Sequence, residues 1–248
     1  MSGHSKWATI KHKKGALDAK RGKIFTKLTR EITAAARMGG GDASSNPRLR
    51  TAIQSAREQN MPGENIDRAV KKGTGDLEGV SYEEITYEGY GPQGVAMLVQ
   101  VLTDNKNRTA PEIRMIFAKY GGAMGSAGSV AWIFEKKGLI VVDQSKSSEE
   151  VLMEAVLSAG AEDLTSHGEK FEIITSMQSF EAVRQALEKA KITVESGQLT
   201  MIPKNMAPVS VEGARTILKL IDSLEDQDDV QNVYANCDIP DEVLAENE

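Results

Sequence analysis

Residues 95–102 read Val-Ala-Met-Leu-Val-Gln-Val-Leu, and this stretch decides the fold of the chain. Apolar side chains stand at both odd and even positions, which is typical of a strand buried on both faces in the middle of a sheet. The stretch therefore predicts a central strand over residues 94–103. A neighbouring strand is predicted over residues 82–90, because a Gly-Pro-Gln turn separates it from the central strand.

Beyond the central strand, the sequence alternates between helical and extended patterns. A helix is predicted over residues 109–120, since Thr109 and Glu112 have capping-box spacing before a run of apolar residues at helical spacing. A turn is predicted at the Glu-Lys-Lys-Gly sequence of residues 135–138, which is also a candidate domain junction. The strands predicted on either side of it span residues 129–134 and 139–143.

The segment after this turn has the order β-α-β-β-α-β, which is typical of a ferredoxin-like sandwich. Its predicted strands lie near residues 139–143, 162–166, 170–175 and 194–202. Its predicted helices lie near residues 148–159 and 179–190.

The chain then supplies one more amphipathic helix, over residues 211–224, and one more strand, over residues 230–237. We expect these two elements to complete the sheet that begins at residue 82. The predicted fold class is therefore α+β, with a helical N-terminal domain plus two α/β sandwich domains, one ferredoxin-like and inserted into the other. The predicted domains are a basic arm over residues 1–22, a three-helix domain over 23–75, a discontinuous middle α/β domain over 79–137 plus 205–248, and a ferredoxin-like domain over 138–204.

The three helices of the N-terminal domain are predicted from apolar spacing and end signals. The first has an apolar stripe that starts at Ile24 and ends at Ala35. The second begins at Asn46, a favoured N-cap residue, and has proline at its first helical position. The third is predicted over residues 63–72, with Gly73 as its C-terminal stop.

Charge is distributed unevenly along the chain. Sixteen Lys or Arg against six acids give residues 1–75 a net charge of +10, so the remaining residues carry −16. Residues 1–22 have too few apolar side chains to offset the entropy of ordering them, and we interpret them as a loosely held basic arm that carries one aromatic residue, Trp7. Such segregation predicts contact with a polyanion, above all nucleic acid.

The candidate nucleic-acid-binding residues follow from this pattern. Cations of an arm contact phosphates, and a free aromatic ring stacks on bases. The first helix extends the basic surface, because its cations lie on the face opposite its apolar stripe. The candidates are Lys6, Trp7, Lys11, Lys13, Lys14, Lys20, Arg21, Lys23, Lys27, Arg30, Arg48, Arg50, Lys106 and Arg108. An ordinary solvated tail is the alternative interpretation of the arm.

The last two candidates belong to a polar loop, residues 104–108, between the central strand and the following helix. The N–H groups of a helix start, together with Lys106 and Arg108, would receive a phosphate. The alternative is a capped turn in which Asp104 and Asn105 bond the backbone of the loop itself. The sequence leaves both interpretations open.

No pattern of catalytic or metal-binding residues is evident. The Gly-rich run of residues 121–128 follows a helix and leads into a strand, so it predicts a helix stop and turn rather than a phosphate loop. His4, His12 and His167 have no cysteine or acid partners at ligand spacing. The single cysteine, Cys237, is predicted to be a buried small residue and suits a reducing cytoplasm.

These observations exclude several classes of function. We predict no enzyme activity, no metal, no cofactor and no small-molecule substrate. No apolar run approaches the roughly 20 residues of a membrane span, so no membrane partner is predicted.

Several blocks of the sequence resemble the YebC family, whose members are described as probable transcriptional regulatory proteins. The blocks are GHSKWATIKHKK, FTKLTREI, NPRLRTAI, NMPGENIDRAVKKG, YEGYGPQGVAMLVQVLTDNKNRT and SVAWIFEKKG, and together they span essentially the whole chain. The resemblance implies a helical N-terminal domain plus two α/β domains, and a cytoplasmic location as in bacterial members. The arm at residues 3–7 and the loop at residues 104–108 match family blocks, but no catalytic residue is carried over.

The resemblance implies regulation of gene expression and leaves two partners open. Some members are linked to promoter DNA, and others to ribosomes, including relief of stalling at proline-rich stretches; mitochondrial relatives activate translation. We predict a non-enzymatic nucleic-acid-binding regulator, in the first place a DNA-binding transcriptional regulator. The alternative is a ribosome-associated translation factor that binds rRNA or tRNA. No recognition helix is evident, and a basic arm with Trp7 fits structured RNA at least as well as DNA.

Overall fold

The computed structural model describes residues 18–246, with the side chains of residues 22–166, 168–243 and 246. The described helices are α1 (Asp18–Gly39), α2 (Pro47–Glu58), α3 (Gly63–Thr74), α4 (Lys106–Lys119), α5 (Glu149–Leu157), α6 (Phe180–Lys189), α7 (Val211–Glu225) and α8 (Asp241–Ala245). The described strands are β1 (Glu83–Tyr90), β2 (Ala96–Thr103), β3 (Ala123–Met124), β4 (Phe134–Asp143), β5 (Ala161–His167), β6 (Lys170–Thr175), β7 (Ser196–Pro203), β8 (Ala207–Pro208), β9 (Val230–Ala235) and β10 (Cys237–Asp238).

Contacts divide the described chain into two compact units. The first unit contains residues 18–130 and 212–235, and the second contains residues 131–211 and 236–246. The chain therefore leaves the first unit after β3 and returns to it in α7.

The sheet of the first unit has the strand order β3-β1-β2-β9, with antiparallel neighbours. The central strand β2 is buried on both faces, with Gln100 its one partly exposed residue. This burial confirms the prediction from its continuous apolar run. Strand β9 pairs with β2, so the late strand completes the sheet begun by β1, as predicted.

Helix α4 begins three residues earlier than predicted, at Lys106. Its N-cap is Asn105, whose side-chain oxygen accepts a hydrogen bond from the backbone N–H of Arg108 at 3.1 Å. The predicted capping box that starts at Thr109 is wrong, because Asn105 is an equally good cap one turn earlier. Thr109 is buried inside the helix, and its hydroxyl is directed at the carboxylate of Asp229.

The helical part of the first unit packs α1 against α2 and α3. Its core contains Ile32, Leu49, Ala52, Ile66 and Ala69. Asn46 caps α2 as predicted, since its side-chain oxygen accepts from the N–H of Leu49 at 3.1 Å. The amide group of the same side chain donates to the carbonyl oxygen of Ala35 at 2.8 Å, which ties α2 to α1.

The predicted stop of α3 at Gly73 is wrong. The helix continues to Thr74, and its C-cap is Gly75, which adopts φ 89°. Gly73 instead marks the place where α3 touches α1: a Cβ atom there would lie 2.5 Å from the carbonyl oxygen of Thr33 and 2.6 Å from the Cβ of Ala36. Glycine stands inside the helix because two backbones approach closely, not because the helix ends.

The sheet of the second unit has the strand order β5-β6-β4-β7, and its neighbouring strands are antiparallel. Its core joins the sheet to α5 and α6 through Ile140, Val142, Leu152, Ile173 and Leu187. This is the β-α-β-β-α-β arrangement of a ferredoxin-like sandwich. The predicted fold class, α+β with a helical N-terminal domain and two α/β sandwiches, is confirmed.

The turn predicted at residues 135–138 is wrong. Strand β4 runs through these residues without a break and pairs there with β7. Gly138 stands in the strand because a Cβ atom would lie 2.3 Å from the Thr175 hydroxyl and 2.4 Å from the ring of Phe180. Part of the strand predicted before the turn is a short 3-10 helix, Ala131–Ile133.

Candidate nucleic-acid interface

The candidate residues of the arm are placed differently from those of the folded part. Helix α1 begins at Asp18, so residues 18–22, which we predicted to belong to the arm, are helical. Lys20 and Arg21 lie in its first turns, where side chains are not described. The candidates that lie outside the described residues are Lys6, Trp7, Lys11, Lys13 and Lys14.

Three cations on the outer face of α1, Lys23, Lys27 and Arg30, are bound by residues 225–229, which we call the acidic segment. The ammonium group of Lys23 donates to the carboxylate and to the backbone oxygen of Asp226, both at 3.1 Å. Lys27 donates to the backbone oxygen of Glu225 at 2.7 Å. We expected this face to present free cations, and for these three side chains that expectation is wrong, because acceptors 198 to 203 residues later in the chain meet them. Arg37 on the same helix has no such acceptor among the described residues.

Within the acidic segment, Asp229 joins α1, β2 and α4 through one carboxylate that is 1% exposed. Its Oδ1 accepts from Arg30 at 2.7 Å. Its Oδ2 accepts from the guanidinium of Arg108 at 2.9 Å. The same Oδ2 accepts from the hydroxyls of Thr109 at 2.5 Å and Thr103 at 3.1 Å.

These donors decide the charge of Asp229. Burial by itself would raise the pKa of this carboxyl, but hydrogen bonds from Arg108 and Thr109, with the charge of Arg30, hold its pKa below the ordinary value. The carboxylate therefore stays ionised at neutral pH. Arg30 and Arg108, both predicted as phosphate contacts, are held by it.

The loop at residues 104–108 is a capped turn. Asn105 caps α4, and the guanidinium of Arg108 donates to Asp104 at 2.9 Å in addition to the buried carboxylate. Lys106 is 64% exposed and makes a long ion pair of 3.9 Å. Of the two alternatives for this loop, the structure contains the capped turn, and a phosphate contact of Lys106 stays a prediction.

The two candidates on α2 also have partners in the chain. Arg48 makes a two-pronged ion pair with Glu31, at 2.7 and 3.0 Å, and also contacts Glu84. These hydrogen bonds raise the pKa of Arg48 above its ordinary value. Arg50 donates to two backbone carbonyl groups of the α1–α2 connection at 3.1 and 3.2 Å. A phosphate would have to compete with these partners.

Other cations of the helical part have no such partner. Among the described cations of α1, α2 and α3, those whose side chains form no hydrogen bond or ion pair with a described residue are Arg37, Arg57, Arg68, Lys71 and Lys72. Sequence reasoning placed Arg37 on the cationic face of the first helix but left all five out of the candidate set, because a helical position does not reveal whether a distant acid neutralises a cation. The one sequence signal was the strongly acidic run after residue 222, whose place in the fold the sequence does not give.

The Gly-rich run of residues 121–128 binds an anion that the chain itself supplies. Gly121 follows α4 with φ 77°. The backbone N–H groups of Gly128 and Val130 donate to the buried carboxylate of Glu88 at 2.6 and 2.7 Å. The prediction of a helix stop and turn is confirmed, and the backbone donors at the end of this turn are already bound by a carboxylate of the chain itself.

Three further observations concern the rest of the described chain. Among residues 18–246, no group of three or more His, Cys, Asp or Glu side chains is arranged to hold a metal ion. Cys237 is buried, and burial raises the pKa of its thiol to about 12, which confirms the prediction of a buried small residue. No helix in this part of the chain is long and apolar enough to cross a bilayer.

Comparison with protein families decides where the chain belongs. A family model described as the TACO1/YebC protein N-terminal domain matches residues 5–76, and one described as the TACO1/YebC second and third domain matches residues 82–237. The chain belongs to the TACO1/YebC family. The resemblance read from the sequence blocks is thereby confirmed.

Relatives within the TACO1/YebC family match over nearly their whole length. A protein of Desulforapulum autotrophicum named probable transcriptional regulatory protein is 60% identical over 243 residues, 98% of both chains. A protein of Geobacter sulfurreducens with the same name is 58% identical over 244 residues, again 98% of both chains. The crystal structure of a conserved hypothetical protein from Aquifex aeolicus is 47% identical, covers 90% of this chain and 92% of its own, and superposes with a TM-score of 0.80.

Proposed function

We propose that this TACO1/YebC family member is a non-enzymatic regulator of gene expression that binds nucleic acid through its arm and helical part. The first candidate is transcriptional regulation by contact with DNA, because relatives at 60% and 58% identity are named probable transcriptional regulatory proteins. The observation that carries the proposal is the set of cations at the surface of the helical part whose side chains have no partner among the described residues, on a region with a net charge of +10.

The physical argument is counterion release. Cations that neutralise phosphates free condensed ions from the nucleic acid, and this supplies most of the sequence-independent affinity. A cation already bound by the chain must give up that partner first, whereas an unpartnered one does not. The remainder of the chain carries −16, which repels a polyanion and so orients the basic end towards it.

A second candidate is a translation factor that binds structured RNA on the ribosome and relieves stalling. One observation favours it: the most regular stripe of cations, on α1, is held by the acidic segment and is not available as a recognition helix in a major groove. A protein without such a helix recognises shape and backbone, as proteins that bind folded RNA do.

A competition experiment tests the proposal and separates the candidates. DNA that copurifies with the protein from its own cells is first sequenced. The protein is then bound, at physiological salt, to a labelled duplex of that sequence. Scrambled duplex and intact ribosomes are then added as competitors. A transcriptional regulator should prefer its own duplex by roughly 10³-fold or more over scrambled duplex, and ribosomes should not compete.

Two other outcomes are informative. If scrambled duplex competes almost equally and ribosomes compete more strongly than either DNA, the translation candidate replaces the first one. If neither DNA nor ribosomes bind at physiological salt, the proposal of a nucleic-acid-binding regulator is wrong.

A further inference from the structure

We propose that the folded part of this protein contacts the phosphate backbone along one edge of the helical part, formed by Arg37 of α1 and by Arg68 and Lys72 of α3. We call this set the α1–α3 edge. The inference rests on the proposed function for the nature of the ligand. It differs from the sequence-based candidates on α1, because it selects cations by their lack of a partner.

The edge exists because α1 and α3 lie side by side. The hydroxyl of Thr33 donates to the carbonyl oxygen of Ala69 at 3.2 Å. Four residues further along both helices, a Cβ atom at Gly73 would lie 3.2 Å from the backbone nitrogen of Arg37. The two contacts advance together, so the helices run in the same direction over this stretch, and glycine allows their backbones to touch.

This packing brings the cations of both helices to the same line of contact. The backbone of Arg37 lies against Gly73, and Lys72 immediately precedes Gly73 in α3. Arg68 lies four residues before Lys72, which places the two in one row on the surface of α3. Arg37 on α1 and the row of Arg68 and Lys72 on α3 therefore flank the contact between the two parallel helices.

The cations of the edge differ from those of α1 in what they already bind. Within the described residues, the side chains of Arg37, Arg68 and Lys72 form no hydrogen bond or ion pair. Arg37 and Arg68 are exposed, and Lys72 is half-buried, with the base of its side chain beside Gly79. Lys23 and Lys27, in contrast, are held by the acidic segment. A phosphate that approaches the edge displaces only water and counterions, so the edge should supply the larger change in counterion release.

A nucleic acid fits this edge for two reasons. Arginine offers a planar fork that binds phosphate oxygens in pairs, and two of the three cations are arginine. Residues 39–41, which follow Arg37 closely, are all glycine, so no side chain there bars a sugar-phosphate backbone. An acidic protein surface is the competing partner and is included in the test.

The test compares two double variants of the full chain that lose the same charge. The edge variant is Arg68→Gln with Lys72→Gln. The control variant is Arg57→Gln with Lys23→Gln, which removes one unpartnered arginine away from the edge and one lysine held by the acidic segment. Dissociation constants for a short DNA duplex and for a structured RNA hairpin are measured at several salt concentrations.

We expect the edge variant to bind more weakly and to lose about two from the slope of log affinity against log salt, whereas the control variant loses about half a unit or less. Similar losses from the DNA and RNA slopes indicate a backbone contact common to both.

Cations in the last turn of a helix also stabilise it through the helix dipole, so thermal unfolding is measured for both variants. If the edge variant unfolds early, Arg68→Gln alone, which lies outside the last turn of α3, takes its place with an expected loss of about one from the slope.

Three outcomes would overturn the inference. Equal slope losses in the edge and control variants would show that the edge is not the contact, while the proposed function stands. If the wild type binds polyglutamate more tightly than it binds nucleic acid, and the edge variant no longer binds polyglutamate, the edge belongs to an acidic protein partner. Absence of any nucleic-acid binding by the wild type would overturn the proposed function and the edge together.

Discussion

Two buried carboxylates, one in each unit, behave in opposite ways. Asp229 is 1% exposed and accepts from two arginines and two threonines, and its pKa is held below the ordinary value. Glu172 in β6 is 3% exposed, its carboxylate accepts no hydrogen bond from any described residue, and its pKa is raised to about 7, first of all by burial. Burial is similar in both, so the partners decide the charge.

The surroundings explain the difference. Asp229 lies where three elements that carry donors converge. Glu172 stands opposite Val141 in β4 and Thr165 in β5. Lys170, two residues along the same face, is paired with Glu195 at 2.5 Å. The ionised carboxylate of Asp229 therefore stabilises the folded state at neutral pH, whereas ionisation of Glu172 destabilises it.

The largest effect should come from Asp229→Ala. The substitution leaves the guanidinium of Arg30, which is 14% exposed, and the buried hydroxyls of Thr103 and Thr109 without their shared acceptor. Arg108 is 42% exposed and keeps Asp104, so the expected loss is about 3 kcal/mol, at the low end for a broken buried ion pair. Urea unfolding of the full chain measures the loss. Asp226→Ala is the matched control: its carboxylate is 66% exposed, and a surface pair contributes at most about 1 kcal/mol. Similar losses in both variants would contradict the comparison.

The pH dependence of that loss has a defined sign. Because the folded pKa of Asp229 lies below its ordinary value of 3.8, its stabilisation is fully present above that value and is lost as the pH falls through the folded pKa. The difference between the wild type and Asp229→Ala should therefore be constant from neutral pH down to about pH 5 and shrink at more acidic pH.

Glu172→Gln should have a smaller effect of opposite sign. A pKa raised from 4.5 to about 7 means that stability falls as the pH rises between those values. Glutamine mimics the protonated acid, so the variant should gain on the order of 2 kcal/mol at pH 8 and nothing at pH 4. Amide hydrogen exchange in β6, compared at the two pH values, measures the gain. A variant that is less stable than the wild type at pH 8 would show that the ionised carboxylate has a partner.

The sequence was sufficient where a local pattern caused the structure. The apolar run of β2 correctly predicted a central strand, and Asn46 correctly predicted the start of α2. Both signals depend on interactions between residues close together in the sequence. Gly73 and Gly138 were interpreted as a stop and a turn because glycine commonly has those roles. Their actual cause is contact with Thr33 and with Phe180, which only the folded chain reveals.

The candidate site followed the same rule. Charge segregation identified the helical part as basic, but it did not show which cations are neutralised. The partners of Lys23 and Lys27 lie 203 and 198 residues away in sequence, and no spacing argument reaches that far. The unpartnered cations of the α1–α3 edge became visible only after those pairs were known.

The smallest expected effect on stability concerns Asp226. This residue is exposed, unlike Asp229, and it has an ion-pair partner, unlike Glu172. Asp226 is 66% exposed and Lys23 is 45% exposed, so Asp226→Asn should change the free energy of unfolding by less than about 1 kcal/mol. The substitution nevertheless removes the side-chain acceptor of Lys23 and one negative charge from the face of α1.

For nucleic-acid binding, Asp226→Asn should therefore raise affinity a few-fold, with a salt slope steeper by up to about one, because one more cation becomes available to phosphate. Asp163→Asn in β5 changes the net charge equally without touching α1, and it serves as the control in the same salt titration. If both variants raise the affinity by the same factor, the effect is one of net charge, and the pairing between Lys23 and Asp226 does not limit binding. If only Asp226→Asn does so, an exposed ion pair that contributes little to stability determines which cations a polyanion reaches.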